Sequence, residues 1–248
     1  MNEQKSKLFY VATLGILSYM IADILHEAVG HGVTGLLIGN KIDLLTSVYF
    51  KSSPGNIIVD IGGPIANLIF GCLTFYMLRK TSFAKLFLFQ VTAYNLFWFS
   101  GTILHSAISE TGDWTFALKE ITTDPLGKFS LAILGILSYI LIIRYLNAYL
   151  NVPLKEKQGE SLAKQDVFIS FLFASTAGLL AGLFFKPDRL HAGLEGLLEM
   201  AGSLPILFLK FRADSLTENH NFRRRYFFCF TVCVLYIIFC FTLGKGIS

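Results

Sequence analysis

Charged residues are scarce in this chain of 248 residues. Asp, Glu, Lys and Arg together make up 15% of it, against about 25% in a typical soluble domain. Hydrophobic residues account for 54%, and the mean hydropathy is +0.59. This composition excludes an ordinary soluble protein and predicts an integral, multi-pass membrane protein. The net charge of +4 falls in the connecting segments and gives no reason to expect a nucleic-acid partner.

Cysteine and histidine are also rare. All four cysteines lie in apolar stretches, which excludes a disulfide framework and a cysteine-based zinc knuckle. The chain has five histidines, too few for the ligand set that a membrane di-iron oxygenase usually draws on. Only His26 and His31 are close together in the sequence.

Apolar stretches recur along the chain at 8–38, 57–78, 83–109, 128–150, 167–185, 190–209 and 226–243. They predict an all-α polytopic membrane protein with about six to seven transmembrane helices. The stretch 190–209 contains Glu195, Glu199 and Pro205, so a re-entrant or interfacial segment is an alternative to a full crossing there. Residues 40–56 are too polar to cross, and the run 44–50 predicts a small strand or β-hairpin after the first helix.

The most informative motif is His26-Glu27-Ala28-Val29-Gly30-His31, at the end of the first apolar stretch. Polar groups in such surroundings are costly unless they are paired or bind a metal. Two histidines can bind Zn²⁺, and a glutamate beside the first can act as a general base. In a regular α-helix, residues five apart point about 140° away from each other, too far for both to bind one ion. The motif therefore predicts a π-helical distortion, with Gly30 as the residue that permits it.

Two later motifs add polar groups. Gly63-Pro64-Ile65-Ala66-Asn67 lies in the second apolar stretch, where small residues allow close helix packing and the asparagine needs a partner. Thr111-Gly112-Asp113-Trp114 follows the third stretch, and its carboxylate is a candidate third metal ligand. Each motif also has a purely structural interpretation. The first is typical of a helix-packing contact, and the second of a loop turn or a helix N-cap.

Taken in this order, the three motifs resemble the site-2 protease family of intramembrane zinc metalloproteases, over residues 15–120. The resemblance implies an active centre that binds Zn²⁺ and cleaves a membrane-embedded peptide or protein substrate within the lipid bilayer. It implies a catalytic core at 1–125 and additional transmembrane helices at 126–248. The residue roles that it implies are metal ligation by His26, His31 and Asp113, general base catalysis by Glu27, and stabilisation of the substrate backbone or oxyanion by Asn67, assisted by Asn95.

Several alternatives stay open on the sequence alone. Asp23, one turn before His26, could orient that histidine or replace Asp113 as a ligand. His191, Glu195 and Glu199 recur every four residues, which indicates either the wet face of an interfacial helix or a second metal site. The ionisable groups in apolar stretches also fit a membrane transporter, or an inactive protease-like scaffold that binds ions or partners. If the chain is a protease, the strand at 44–50 could pair with an extended substrate.

Overall fold

The computed structural model describes residues 3–81, 84–119, 124–151, 162–211 and 222–248. These residues form a mostly helical protein with one small antiparallel sheet of two strands, as the sequence predicts. Within these described ranges, five helices are long and apolar enough to cross a membrane, so the predicted count of six to seven is not confirmed. The predicted stretches 83–109 and 190–209 are not among the five, which span Gln4–Leu37, Ile57–Lys80, Pro125–Asn151, Lys164–Gly182 and Tyr226–Gly244.

The first half of the chain carries the three sequence motifs. A long first helix changes its winding partway, and it is followed by a β-hairpin and by two helices that pack against each other. The elements are α1 (Glu3–Asp23), a π-helix (Ile24–Val33), α2 (Thr34–Leu37), β1 (Lys41–Leu45), β2 (Phe50–Ser53), α3 (Ile57–Asp60), α4 (Gly62–Lys80), α5 (Lys85–Ser109) and α6 (Asp113–Ala117).

The second half packs directly onto the first. Here α8 and α10 lie against α1, α7 lies against α5, and α9 lies against α8. The elements are α7 (Pro125–Asn151), α8 (Lys164–Gly182), a 3₁₀ turn (Lys186–Asp188), α9 (Arg189–Ala201), a second 3₁₀ turn (Leu204–Phe208), α10 (Phe222–Phe239) and a short π-helix (Cys240–Gly244). The stretch 190–209 is thus a helix of 13 residues and a turn.

Helix α5 is the central element of the core. Phe89, Tyr94 and Phe97 on it are completely buried. Its polar side chains are paired inside the bundle, because Gln90 accepts a hydrogen bond from Ser18 of α1 and donates one to Ser170 of α8. These bonds satisfy polar groups that would be costly to bury alone, and they tie three helices together.

The hairpin has one covered edge. Its strands pair antiparallel, with Leu45 opposite Phe50. On the far side of β1, Leu45 and Ile247 exchange two backbone hydrogen bonds of 2.9 Å each. In the described part of the chain, no strand pairs with the outer edge of β2.

Candidate metal centre

The π-helix brings the two histidines of the first motif to one side. Its backbone hydrogen bonds run from residue i to i+5 rather than i+4, so residues five apart lie nearly above one another. The ring centroids of His26 and His31 are 4.9 Å apart, and their Nε2 atoms are 3.3 Å apart. The predicted π-helical distortion is confirmed, and it extends over ten residues.

Gly30 contributes by close packing. A Cβ atom there would lie 2.7 Å from the carbonyl oxygen of Gly62 and 2.8 Å from the nitrogen of Gly63. The π-helix therefore rests backbone to backbone on the start of α4, and only glycine fits at the contact. This packing brings the second motif against the first.

The hydrogen bonds of the two imidazoles determine their tautomers. The Nδ1 atom of His26 faces Oδ1 of Asn67, and Nδ1 of His31 lies 2.7 Å from the carbonyl oxygen of Val59. Both partners are acceptors, so each Nδ1 carries the proton and donates it. Each Nε2 is then the atom that can offer a lone pair to a cation, and the two Nε2 atoms face each other.

Asp113 completes the group of donors. Gly112, with φ of +90°, turns the chain before α6 and points the carboxylate at both histidines. The carboxylate oxygens lie 3.2 Å from Nε2 of His26 and 3.5 Å from Nε2 of His31. Burial acts to raise the pKa of Asp113, but His31 and His26 outweigh it, so the net pKa is below the ordinary value. The side chain is thus an anion under most conditions.

The three donors fit a zinc ion. One donor atom from each of His26, His31 and Asp113 lies within 4.8 Å of the other two. A tetrahedral site with Zn–N distances of about 2.0–2.1 Å places its nitrogen ligands about 3.3–3.4 Å apart, which agrees with the observed separation of the Nε2 atoms. Two neutral imidazoles and one carboxylate, with room for a fourth ligand, are typical of catalytic zinc sites.

Asn67 and Asn95 lie behind His26. Asn67 donates from Nδ2 to Oδ1 of Asn95 over 2.8 Å, and Asn95 donates from Nδ2 to the carbonyl oxygen of Val91 over 2.7 Å. This direction leaves Oδ1 of Asn67 as the acceptor for His26. Both asparagines are completely buried, and neither is among the described residues that line the cavity. Asn67 thus contacts His26 directly and Asn95 contacts Asn67, while their predicted role toward the substrate stays a prediction.

Asp23 does not take either of its predicted roles. Nδ1 of His26 is paired with Asn67, so the prediction that Asp23 orients this ring is wrong. Asp23 is also outside the group of metal donors. Its side chain is fully buried, and both carboxylate oxygens lack a hydrogen-bond partner among the described residues.

Glu27 lies beside the donors but is separate from them. Its Oε1 atom is 4.0 Å from Nε2 of His26, and its side chain is almost completely buried. Its Oε2 atom has no hydrogen-bond partner within the described ranges. The carboxylate is thus adjacent to the donor group, although Glu27 is not among the described residues that line the cavity.

A cavity of about 1060 Å³ opens onto the donor group. His31 forms part of its wall and stacks on Phe50 of β2 with a centroid distance of 5.2 Å, so the hairpin borders the site. Trp98 also lines the cavity, and its indole nitrogen is inaccessible to solvent and has no acceptor in the described part of the chain. Trp98 follows Asn95 by one turn of α5, and this spacing is the one sequence signal that points to it.

Helix α9 contributes the acidic part of the wall. His191, Glu195 and Glu199 all line the cavity, and Nε2 of His191 lies 3.6 Å from Oε1 of Glu195. Burial raises the pKa of Glu199 well above its ordinary value, and the negative charges of Asp23 and other carboxylates add to the shift. Among the residues the structure describes, these side chains are not part of any compact group of three metal donors.

The sequence did not indicate the contribution of Val59, and it indicated Gly63 only as a helix-packing residue. The Val59 carbonyl oxygen orients His31, and Gly63 provides open space beside both histidines, since a Cβ atom there would lie 2.7 Å from Nε2 of His26. Together, the donors, the adjacent carboxylate and the cavity form an arrangement suited to metal-assisted hydrolysis. No protein-family model, no curated protein and no solved structure matches this chain.

Proposed function

We propose that the chain is a multi-pass membrane protein and an intramembrane zinc metalloprotease, similar to the site-2 protease family, that cleaves a peptide bond in or near a transmembrane segment. One observation carries the proposal. The Nε2 atoms of His26 and His31 face each other over 3.3 Å, with the Asp113 carboxylate against both and Glu27 beside them.

The residues have distinct roles in this reaction. Zn²⁺ bound by His26, His31 and Asp113 would polarise the substrate carbonyl and acidify a water molecule. Glu27, whose Oε1 atom lies 4.0 Å from Nε2 of His26, would accept the proton of the attacking water and return it to the leaving nitrogen. Asn67 fixes the ring of His26 through Oδ1. No net proton is consumed, so Glu27 ends each turnover as it began.

The substrate carbonyl also needs a hydrogen-bond donor. The polar atoms of the completely buried Asn67 form hydrogen bonds with His26 and Asn95, so Asn67 does not supply this donor. Trp98 lines the cavity, its indole N–H has no acceptor among the described residues, and the Trp98 and His26 ring centroids are 6.2 Å apart. We assign Trp98 as the donor that stabilises the developing oxyanion, which is the usual task of an unpaired N–H in a hydrolytic site.

The substrate has to be extended at the point of cleavage, because a helix hides its peptide bonds. The hairpin is suited to hold such a segment. The β1 edge is occupied by Ile247 at Leu45, so an added strand pairs with β2, whose residues Phe50, Lys51 and Ser52 line the cavity. Strand addition supplies backbone hydrogen bonds to any sequence.

Zinc analysis of the detergent-purified protein tests the proposal. We expect about one zinc per chain in the native protein and in Glu27→Gln, and a loss of zinc in His26→Ala, His31→Ala and Asp113→Ala. Cleavage of a membrane peptide should be lost in all four variants. A folded native protein without zinc would contradict the proposal. It would favour the transporter, in which Glu27→Gln impairs flux and no peptide bond is cut, or the inactive scaffold.

A further inference from the structure

The cavity wall formed by α9 has acidic groups that the proposed hydrolysis does not use. Glu195 and Glu199 lie on one face of the helix and line the same cavity as His26 and His31. Oε2 of Glu199 is inaccessible to solvent and has no hydrogen-bond partner in the described ranges. Burying a carboxylate oxygen without a partner is unfavourable, so a ligand that pairs with it would be stabilised.

The groups behind Glu199 are unpaired as well. Asp23 and Tyr19 are completely buried, and neither the two carboxylate oxygens nor the hydroxyl has a partner among the residues described. The negative charge of Asp23 acts on both Tyr19 and Glu199. Tyr19, Asp23 and Glu199 therefore lie close enough to interact electrostatically, and the unpaired atoms of all three are buried.

The charges around this region do not cancel. Those that act on Glu199 belong to Asp23, Glu27, Glu195 and Asp113, and all are negative. Within the described part of the chain, Lys51 is the one lysine or arginine that lines the cavity. It lies on the hairpin, exposed, with its charge acting on Asp43. Among the residues that the structure describes, no lysine or arginine therefore neutralises Glu199, and the imidazole of His191 on the same helix lies against Glu195.

The geometry also indicates which kind of cation fits. A metal ion needs several donors in one compact group, and in the described residues only His26, His31 and Asp113 meet that condition. An organic cation with several N–H donors can pair with carboxylates that lie farther apart. Aromatic rings favour such a cation, and Trp98 at the wall packs edge-on against Tyr19 with a centroid distance of 6.3 Å.

We propose that Glu199, supported by Glu195, Asp23 and the Trp98 ring, forms a binding subsite for an ammonium or guanidinium group of the substrate. The group comes from a Lys or Arg side chain near the scissile bond, or from a free N-terminal amine close to it. The inference rests on the proposed function for the identity of the substrate as a peptide. It adds a preference for positive charge beside the cleaved bond.

Peptide binding to the full chain in detergent tests the subsite without requiring turnover. The probes are fluorescent apolar peptides of about twelve residues, long enough to cross the cavity when extended. One is blocked at both ends and has a central lysine, a second has norleucine there, and a third has norleucine and a free N-terminal amine. We expect one of the cationic peptides to bind at least about tenfold more tightly than blocked norleucine, as a buried charge-assisted hydrogen bond does.

Matched variants identify the source of the preference. Glu199→Gln keeps the shape of the side chain and should bring the ratio of affinities close to one, while Glu195→Gln should lower it by a smaller factor. Glu110→Gln is the control, because it removes one negative charge from an exposed residue that pairs with Lys128 and does not line the cavity. Size-exclusion chromatography and zinc content verify that each variant is folded.

The results separate the subsite from the proposed function. Equal binding of all three peptides to the native chain, or a preference that survives in folded Glu199→Gln, would overturn the subsite. A chain that prefers a cationic peptide through Glu199 but neither holds zinc nor cleaves would overturn the protease proposal and leave the subsite standing. Cleavage without any preference for positive charge would overturn the subsite and leave the protease proposal standing.

Discussion

Gly63 lies directly against the imidazole of His31, with no space between them for a methyl group. The same glycine is next to Nε2 of His26, and it also supports Gly30 of the π-helix. A single residue at the start of α4 thus keeps clear the volume on which both nitrogen lone pairs converge. That volume is where a metal ion would bind.

Gly63→Ala should therefore abolish metal binding. The added Cβ would displace the Nε2 atoms, and zinc geometry tolerates ligand shifts of only about 0.2 Å. We expect less than about a tenth of an equivalent of zinc by elemental analysis, as in His31→Ala. Gly35→Ala is the matched control, since its Cβ would meet its nearest neighbours at 3.8 Å. Full zinc occupancy in Gly63→Ala would show that the ion does not bind there.

Asn67→Ala should weaken zinc binding without removing a ligand. The variant leaves Nδ1 of His26 without its acceptor, so the ring loses its fixed tautomer and orientation. Loss of such a partner typically costs 10- to 100-fold in metal affinity, and we expect about that range in competition with a chelator. Thr92→Val is the control, because it removes a 3.0 Å hydrogen bond to Thr74. That bond joins α5 to α4, the helix that carries Asn67. Equal zinc affinity in both variants would contradict the orienting role.

Much of this architecture could be predicted from residue types and spacing. The hairpin follows from a short polar stretch between apolar ones, and the π-helix follows from the need to bring histidines five residues apart to one ion. The partners of His26 could not be predicted. They depend on how α4 is rotated against the π-helix. The change from α-helix to π-helix after Asp23 also turns its carboxylate away from the ring of His26, three residues later.

The count of helices apolar enough to cross a membrane shows a second limit of prediction from the sequence. Helix α5 is long and largely apolar, but it also carries Gln90 and Asn95, whose side chains form hydrogen bonds to neighbouring helices. Hydropathy counts such residues as unfavourable without knowing their partners. The role of α9 was equally hidden, because spacing places His191, Glu195 and Glu199 on one face but does not say which cavity that face lines.

Glu199→Gln should make the protein more stable at alkaline pH. In the folded state the pKa of Glu199 lies well above 4.5, so the folded chain holds this proton more tightly than the unfolded chain does. The contribution of this proton to the free energy of unfolding is fully present below the unfolded-state pKa of Glu199. It is lost as the pH rises from that pKa through the higher pKa of the folded state. At pH 8 we expect the variant to melt roughly 2–4 °C above the native protein, for a gain of about 1 kcal/mol.

The pH series contains its own control. Below pH 4 the Glu199→Gln and native proteins should melt together, since Glu199 is then protonated in both states. The exposed Glu110→Gln variant should follow the native protein throughout. A Glu199→Gln variant that melts lower than the native protein at pH 8 would show that the ionised carboxylate stabilises the fold.

Replacing residues 44–50 with a helix-favouring sequence should abolish cleavage and spare the metal. The hairpin supplies the β2 edge but no ligand, so zinc should remain at about one per chain, while an extended substrate loses its docking strand. Elemental analysis and a cleavage assay on the same preparation measure both effects. Cleavage that survives the replacement would exclude substrate binding at the hairpin.

The π-helix between Ile24 and Val33 bears on how related sites are recognised in other sequences. Chelation depends on the direction in which two side chains point, and a wider helix gives residues five apart nearly the direction that an α-helix gives residues four apart. One extra residue between the two histidines is then accommodated by the wider turn of the π-helix, and both ring nitrogens still point to one side. Search patterns that fix the interval between the histidines pass over such sites, whereas patterns that allow either interval, provided that a glycine precedes the second histidine, retain them.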